Sequence, residues 1–165
     1  MFEKILKSKI HLTDTLYLRF DINAMIKVEQ DGIDIFNLAD SFLNYKKAVK
    51  LLGIGLAACL SENSIPESKT DELISRLIKK IGVKELTLSM QMAILSALPD
   101  PIIGAKPDSK KADFSKLYGL FVDVMGRTEQ EFMSLTVREV LRRWDNYAVF
   151  NGYKKPDVTF TQYDD

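Results

Sequence analysis

The chain has 165 residues, of which 46% are hydrophobic and 28% are charged, and its 23 basic residues balance its 23 acidic ones. This composition is typical of a globular protein that buries a real core, and it differs from that of a disordered tail. A net charge of zero provides no overall field that would attract nucleic acid or an anionic membrane. One cysteine and one histidine exclude an internal disulfide and an ordinary Cys/His zinc site.

Neither a signal peptide nor a membrane span is indicated by the apolar segments. Lysines interrupt the apolar residues of the first segment, MFEKILKSKIHL. The longest apolar run, Leu51 to Leu60, covers about half of the roughly 20 residues that a bilayer span needs. We therefore expect a soluble, cytoplasmic protein.

The first predicted elements are a small β-hairpin and a short helix. Residues of alternating character lie on both sides of a Thr-Asp-Thr turn at 13–15, and Leu16, Leu18 and Phe20 share one face. A helix follows to about Glu29, with Asp21 or Asn23 as its cap and Asp31-Gly32 as its end.

Helices dominate the rest of the chain, so the predicted fold class is mainly α with a small N-terminal β-hairpin. Apolar residues recur three or four positions apart in four segments: Leu38–Leu60, Thr70–Ile81, Lys84–Leu98 and Phe114–Met125. A last helix opens with a capping box, Thr136-Val-Arg-Glu139. Its apolar stripe predicts that Trp144 is largely buried.

The prolines indicate a division into two parts. Three of the five prolines fall between residues 99 and 111, in the sequence PDPIIGAKPDSKK, which is typical of a linker. We therefore predict an N-terminal hairpin and helical part at 1–98, a Pro-rich linker at 99–111, and a C-terminal helical part with an aromatic tail at 112–165.

The residue types that carry chemistry are sparse and poorly placed for catalysis. Gly53-Ile54-Gly55 lies inside an apolar helix with no following lysine, which favours close packing over a phosphate cradle. His11 is expected at the surface, and Cys59 is expected to be an inert, buried small side chain. The sequence thus predicts no catalytic residues, no cofactor-binding residues, no metal ligands and no enzymatic activity.

Arg138, Arg142 and Arg143 form the only arginine cluster, on the last predicted helix. Such a helix could enter a DNA groove, but Glu139 interrupts the cluster and is expected to pair with Arg143 at i,i+4. Nucleic acid is therefore disfavoured as a partner, although a small helical nucleic-acid-binding regulator stays open as an alternative.

Aromatic residues gather at the C-terminal end of the chain. The final stretch ends in acidic residues and shows no helical period beyond about residue 153. Such a tail either packs on the domain or is ordered by a partner. The predicted partner-binding residues are Tyr147, Phe150, Tyr153, Phe160 and Tyr163.

Three segments resemble the tail assembly chaperones of long-tailed bacteriophages and prophages. These are LYLRFDINAMIKVEQ at 16–30, KAVKLLGIGLAACL at 47–60, and LYGLFVDVMGRTEQEFMSLTVREVLRRWDNY at 117–147. The first is similar to the family's N-terminal element, the second to its apolar helix, and the third to its C-terminal extension with an "Glu-Phe-x-x-Leu-Thr" turn.

The resemblance implies a non-enzymatic protein that holds the tape-measure protein soluble and recruits tail-tube (major tail) subunits to it. It also implies a location in the host bacterial cytoplasm and absence from the mature virion. No membrane partner is expected, and self-association is left open. A second alternative is a structural phage adaptor that stays in the particle.

Overall fold

The computed structural model describes residues 9–34, 42–99 and 114–154. Across these ranges the protein is mainly α-helical, with seven α-helices and one two-stranded antiparallel hairpin, which confirms the predicted fold class. The predicted linker at 99–111 lies outside the described ranges except for Pro99. None of the described helices combines the length and the apolar character that crossing a membrane requires.

The hairpin consists of β1, Ile10–His11, and β2, Tyr17–Leu18. Ile10 pairs with Leu18 and His11 with Tyr17. Within the turn the Thr13 hydroxyl accepts a hydrogen bond from the Leu16 N–H at 3.0 Å, which is the turn chemistry that the sequence indicated.

Helix α1, Ile22–Gln30, follows directly. The Asp21 carboxylate caps it by accepting the Ala24 N–H at 2.8 Å. The chain leaves the helix through Gly32, whose φ of 66° is easily reached only by a residue without a side chain. Of the two predicted caps, Asp21 or Asn23, the structure shows Asp21, and the predicted end at Asp31-Gly32 is confirmed.

Helix α2, Tyr45–Glu62, begins later than the single helix predicted from Leu38. Asn44 interrupts the helical path with an extended backbone, and its side chain accepts the Lys47 N–H at 3.2 Å. This local bond offers the backbone an alternative to continuing the helix. The prediction of one continuous element is therefore wrong at Asn44, and residues 35–41 lie outside the described ranges.

Two helices that contact each other follow α2. A short 3-10 helix, Glu67–Lys69, leads into α3, Thr70–Ile81, whose bounds match the predicted ones. Gly82, with a φ of 91°, turns the chain into α4, Val83–Ala97. The prediction for α4 was correct to within one residue at each end.

The described C-terminal part contains three α-helices and one π-helix. Helix α5 covers Phe114–Tyr118 and continues as a π-helix, Gly119–Val124, where a regular helix to Met125 was predicted. Helix α6 covers Glu129–Ser134, and α7 covers Val137–Phe150.

Helix α7 opens with the predicted capping box. Thr136 accepts the Glu139 N–H at 3.2 Å, and the Glu139 carboxylate accepts the Thr136 N–H at 2.8 Å. Trp144, by contrast, is only partly buried and stacks on the Tyr147 ring. The expectation of a largely buried tryptophan was wrong, because the buried residues of α7 lie near its start and at Ala148, and Trp144 falls between them.

Two apolar clusters form the core. The larger one joins the hairpin, α1, α2, α3 and α4. The smaller one lies in the C-terminal part but includes one residue of α1, and its buried members are Ile22, Phe121, Phe132, Leu135, Val137 and Val140. The Ile22 N–H also donates to the Leu135 carbonyl at 2.8 Å, so α1 packs against both parts of the chain.

Candidate functional site

A groove of about 1160 Å³ runs along one face of α2; we call it the α2 groove. Its floor is formed by side chains of α2 at one-turn spacing, and its walls come from α1, α6, the 3-10 helix and the first turns of α3. The floor residues near the middle are Val49, Gly53, Ile54, Ala57 and Ala58. Small residues therefore make up much of this middle part of the floor.

The opposite face of α2 explains why this helix carries glycine. A Cβ on Gly55 would lie 2.8 Å from Cζ of Phe20, and the Arg19 N–H donates to the Gly55 carbonyl at 2.9 Å. A Cβ on Gly53 would meet nothing closer than Thr70 Cγ2 at 3.6 Å. The sequence favoured close approach of another helix at these glycines; at Gly55 the close neighbour is instead the extended chain that follows β2.

One end of the groove is basic. Lys46 and Lys50 occupy the first turns of α2, and Lys27 of α1 lines the same groove. Asp31 lies one helical turn after Lys27 in sequence, and its carboxylate forms an ion pair with the Lys50 ammonium at 2.7 Å. The positive end of the α2 dipole lies at this end as well.

The other end is acidic. Glu62 ends α2, Glu67 lies in the 3-10 helix, and Asp71 lies in the first turn of α3. Lys9 forms an ion pair with Glu62 at 2.9 Å. Burial, together with the Glu62 carboxylate, raises the pKa of the Tyr17 hydroxyl.

Two further charged residues line the groove where α1 begins. Burial raises the pKa of the Asp21 carboxyl, against the lowering effects of the Ala24 N–H and of the nearby Arg19 guanidinium. Arg19 itself is held by Glu139, with 2.7 Å between Nη2 and Oε2, and by the Ser134 carbonyl at 2.9 Å. These bonds fix the guanidinium in place.

A second surface, which we call the α4 stripe, consists of Leu88, Met92 and Leu95. The three side chains are exposed and lie at i, i+4 and i+7 on α4. Sequence reasoning missed it, because the apolar spacing of residues 84–98 predicts a helix without showing which face stays uncovered. Met90 is buried, whereas Met92 is exposed. The available signal was the absence of any charged residue between Leu86 and Leu98.

The predicted aromatic site lies at the end of α7. Tyr147 is partly buried, and its hydroxyl donates to the Val124 carbonyl at 3.2 Å. Phe150 and Tyr153 are 89% and 70% exposed. Phe160 and Tyr163 lie outside the described ranges. Two of the predicted rings, Phe150 and Tyr153, are therefore exposed, whereas Tyr147 is fixed by its hydrogen bond to Val124.

The arginine cluster makes contacts within the chain. The Arg138 guanidinium donates to the carbonyls of Leu98 at 2.7 Å and Leu95 at 3.0 Å, at the C-terminal end of α4. Arg143 pairs with Glu131, and not with Glu139 as expected, because Glu139 is engaged with Arg19. Two of the three guanidiniums therefore have partners in the protein.

The remaining candidates for chemistry have ordinary structural surroundings. His11 is exposed on β1, and Cys59 is buried with its thiol donating to the Thr15 carbonyl at 3.5 Å. Within the described ranges, no three His, Cys, Asp or Glu side chains are grouped so that they could hold a metal ion.

Comparison of the chain with protein-family models, with curated proteins and with solved structures found no match.

Proposed function

We propose that this protein is a non-enzymatic phage tail assembly chaperone, which binds the tape-measure protein and recruits tail-tube subunits in the host bacterial cytoplasm. The observation that carries the proposal is the α4 stripe. A protein that holds another chain soluble needs exposed apolar side chains in an otherwise polar surface. Leu88, Met92 and Leu95 meet that need on a rigid helix.

The composition of the stripe suits an apolar helical partner. Leu88 and Leu95 offer branched side chains, and the unbranched Met92 between them adapts to partners of different shape. No residue between Leu86 and Leu98 is charged, so this stretch of α4 contributes no ion that would lose its water on binding. The exposed rings of Phe150, at the end of α7, and of Tyr153, just beyond that end, are proposed to contact the tail-tube subunits.

The test is co-purification of the co-expressed tape-measure protein with a triple variant, Leu88→Gln, Met92→Gln and Leu95→Gln. Glutamine is a good helix former and the three positions are exposed, so the fold is expected to survive. Tyr45→Gln, an exposed apolar side chain outside the stripe, is the matched control. We expect the triple variant to lose at least tenfold in bound tape-measure protein while the control binds like the parent.

Equal binding by the triple variant and the parent would contradict the role of the stripe.

The alternative of a nucleic-acid-binding regulator is tested by titrating DNA binding with salt. Phosphate contacts through Arg138, Arg142 and Arg143 would give an affinity that falls steeply with salt. The chaperone proposal expects no specific DNA binding.

A further inference from the structure

We propose that the α2 groove binds an amphipathic helix of a partner protein that carries acidic residues at one end and basic residues at the other. This inference deepens the proposed function, on which it rests, because it states the chemistry of the segment that the chaperone would hold. It involves α2 and its neighbours, and it does not involve the α4 stripe.

The size of the groove favours a protein segment over a small molecule. Pockets for small ligands typically measure about 300–1,000 Å³ and enclose most of the ligand. The α2 groove measures about 1160 Å³ and is open. It follows α2, whose 18 residues span about 27 Å at the usual rise per residue.

The floor of the groove favours a helix over an extended strand. The backbone groups of α2 are bonded within the helix, so the floor offers side chains and no unpaired N–H or C=O groups for a strand. An extended segment would leave its own backbone polar groups unpaired, whereas a helix satisfies them internally.

Small residues at the centre allow a close approach. Gly53, Ala57 and Ala58 are all partly exposed on the floor. A helix lying over them can bring its backbone near α2, as small residues permit at closely packed helix pairs. Ile54 and Ile65 supply larger apolar contacts in the same groove.

Charge complementarity specifies the occupant further. Lys27, Lys46 and Lys50 lie at the end where α2 begins, and Glu62, Glu67 and Asp71 lie where it ends. Asp31 and Lys9 neutralise part of each end, and Arg19 with Asp21 balance each other between the ends. An occupant with an acidic end and a basic end therefore matches the groove in one direction only.

The test uses two designed helical peptides of about 20 residues with identical composition. One has glutamates at its N-terminal end, an alanine and leucine face in the middle, and lysines at its C-terminal end. The other has the same residues with the charges interleaved. Titration calorimetry with the full chain is expected to show at least tenfold tighter binding of the first peptide, with the difference reduced at high salt.

Variants of the groove locate the binding. Lys27→Glu with Lys46→Glu, both exposed, is expected to reverse the preference towards a third peptide with lysines at both ends. Ala57→Trp is expected to fill the floor and abolish binding. Asn146→Trp, at an exposed position of α7 that does not line the groove, is the control and is expected to bind like the parent.

Equal affinity for the two isomeric peptides, or no binding of either, would overturn the proposal. So would unchanged binding by the Ala57→Trp variant. The chaperone proposal is tested separately: it fails if the unmodified chain does not co-purify with the tape-measure protein. A groove that rejects both peptides in a chain that still co-purifies with the tape-measure protein would overturn this inference alone.

Discussion

Arg19 and Glu139 form a buried ion pair that joins residues 120 positions apart, with 2.7 Å between Nη2 and Oε2. Their side chains are 8% and 7% exposed. Glu139 completes the capping box of α7 with the same carboxylate, and Arg19 also donates to the Ser134 carbonyl. The pair therefore ties the chain after β2 to the start of α7.

Removing one partner of this pair is expected to be costly. Arg19→Met leaves the Glu139 carboxylate buried without its cation, and we expect the free energy of unfolding to fall by about 3–5 kcal/mol. Arg143→Met is the matched control, because Arg143 pairs with Glu131 at the surface, where such pairs contribute about 0–1 kcal/mol. Urea denaturation measures the free energy of unfolding of both variants. Equal losses for the two substitutions would contradict the role of Arg19 as the partner of a buried carboxylate.

The contacts between the two parts predict the behaviour of a nicked chain. Trypsin is expected to cut first at Lys110 or Lys111 in the Pro-rich segment. The Arg19–Glu139 pair and the burial of Ile22 among C-terminal residues are expected to hold the fragments together. Gel filtration should show one species under native conditions and two in urea; separation without urea would show that these contacts are too weak.

The two glycines of α2 make a matched comparison. Gly55→Ala places a Cβ 2.8 Å from the buried Phe20 ring and is expected to cost about 1–3 kcal/mol through overpacking. Gly53→Ala meets only ordinary contacts and removes the helix penalty of glycine, so a gain of about 0.5–1 kcal/mol is expected. Thermal melting of both variants checks the sign, and two effects of the same sign would contradict the packing described at Gly55.

Asp21 predicts a dependence of stability on pH. Burial raises its folded-state pKa above the ordinary 3.8, so the folded protein disfavours the ionised carboxyl relative to the unfolded chain. Its contribution to stability is therefore greatest below pH 3.8 and is lost as the pH rises through the raised pKa.

Asp21→Asn removes this dependence but keeps a good helix cap. At neutral pH the variant is expected to be at least as stable as the parent, and the parent should gain relative to it as the pH falls. Asp21→Ala, which lacks the cap, should lose about 1 kcal/mol. A parent that loses stability relative to Asp21→Asn on acidification would contradict the direction of the pKa shift.

Local signals in the sequence predicted the elements well. Asp21 and Gly32 mark the two ends of α1, and Thr136 with Glu139 marks the start of α7, because caps depend on residues within one turn. Asn44 is a local signal too, but the apolar spacing on either side of it favoured a continuous helix.

The candidate sites were less accessible to sequence reasoning. The α2 groove combines residues from Arg19 to Ser134, and the partner of Arg19 lies 120 positions away, so no local pattern reveals either. The α4 stripe depends on which face of an apolar helix is left uncovered, and periodicity alone does not decide that for a helix with apolar residues on several faces.

The most direct test of the chaperone account is the solubility of the tape-measure protein encoded in the same genome, expressed with and without this chain. The account predicts that the tape-measure protein is largely insoluble alone and moves to the soluble fraction, bound to this protein, on co-expression. The account would be contradicted if the soluble fraction of the tape-measure protein is the same with and without this chain, while this chain itself is folded and abundant.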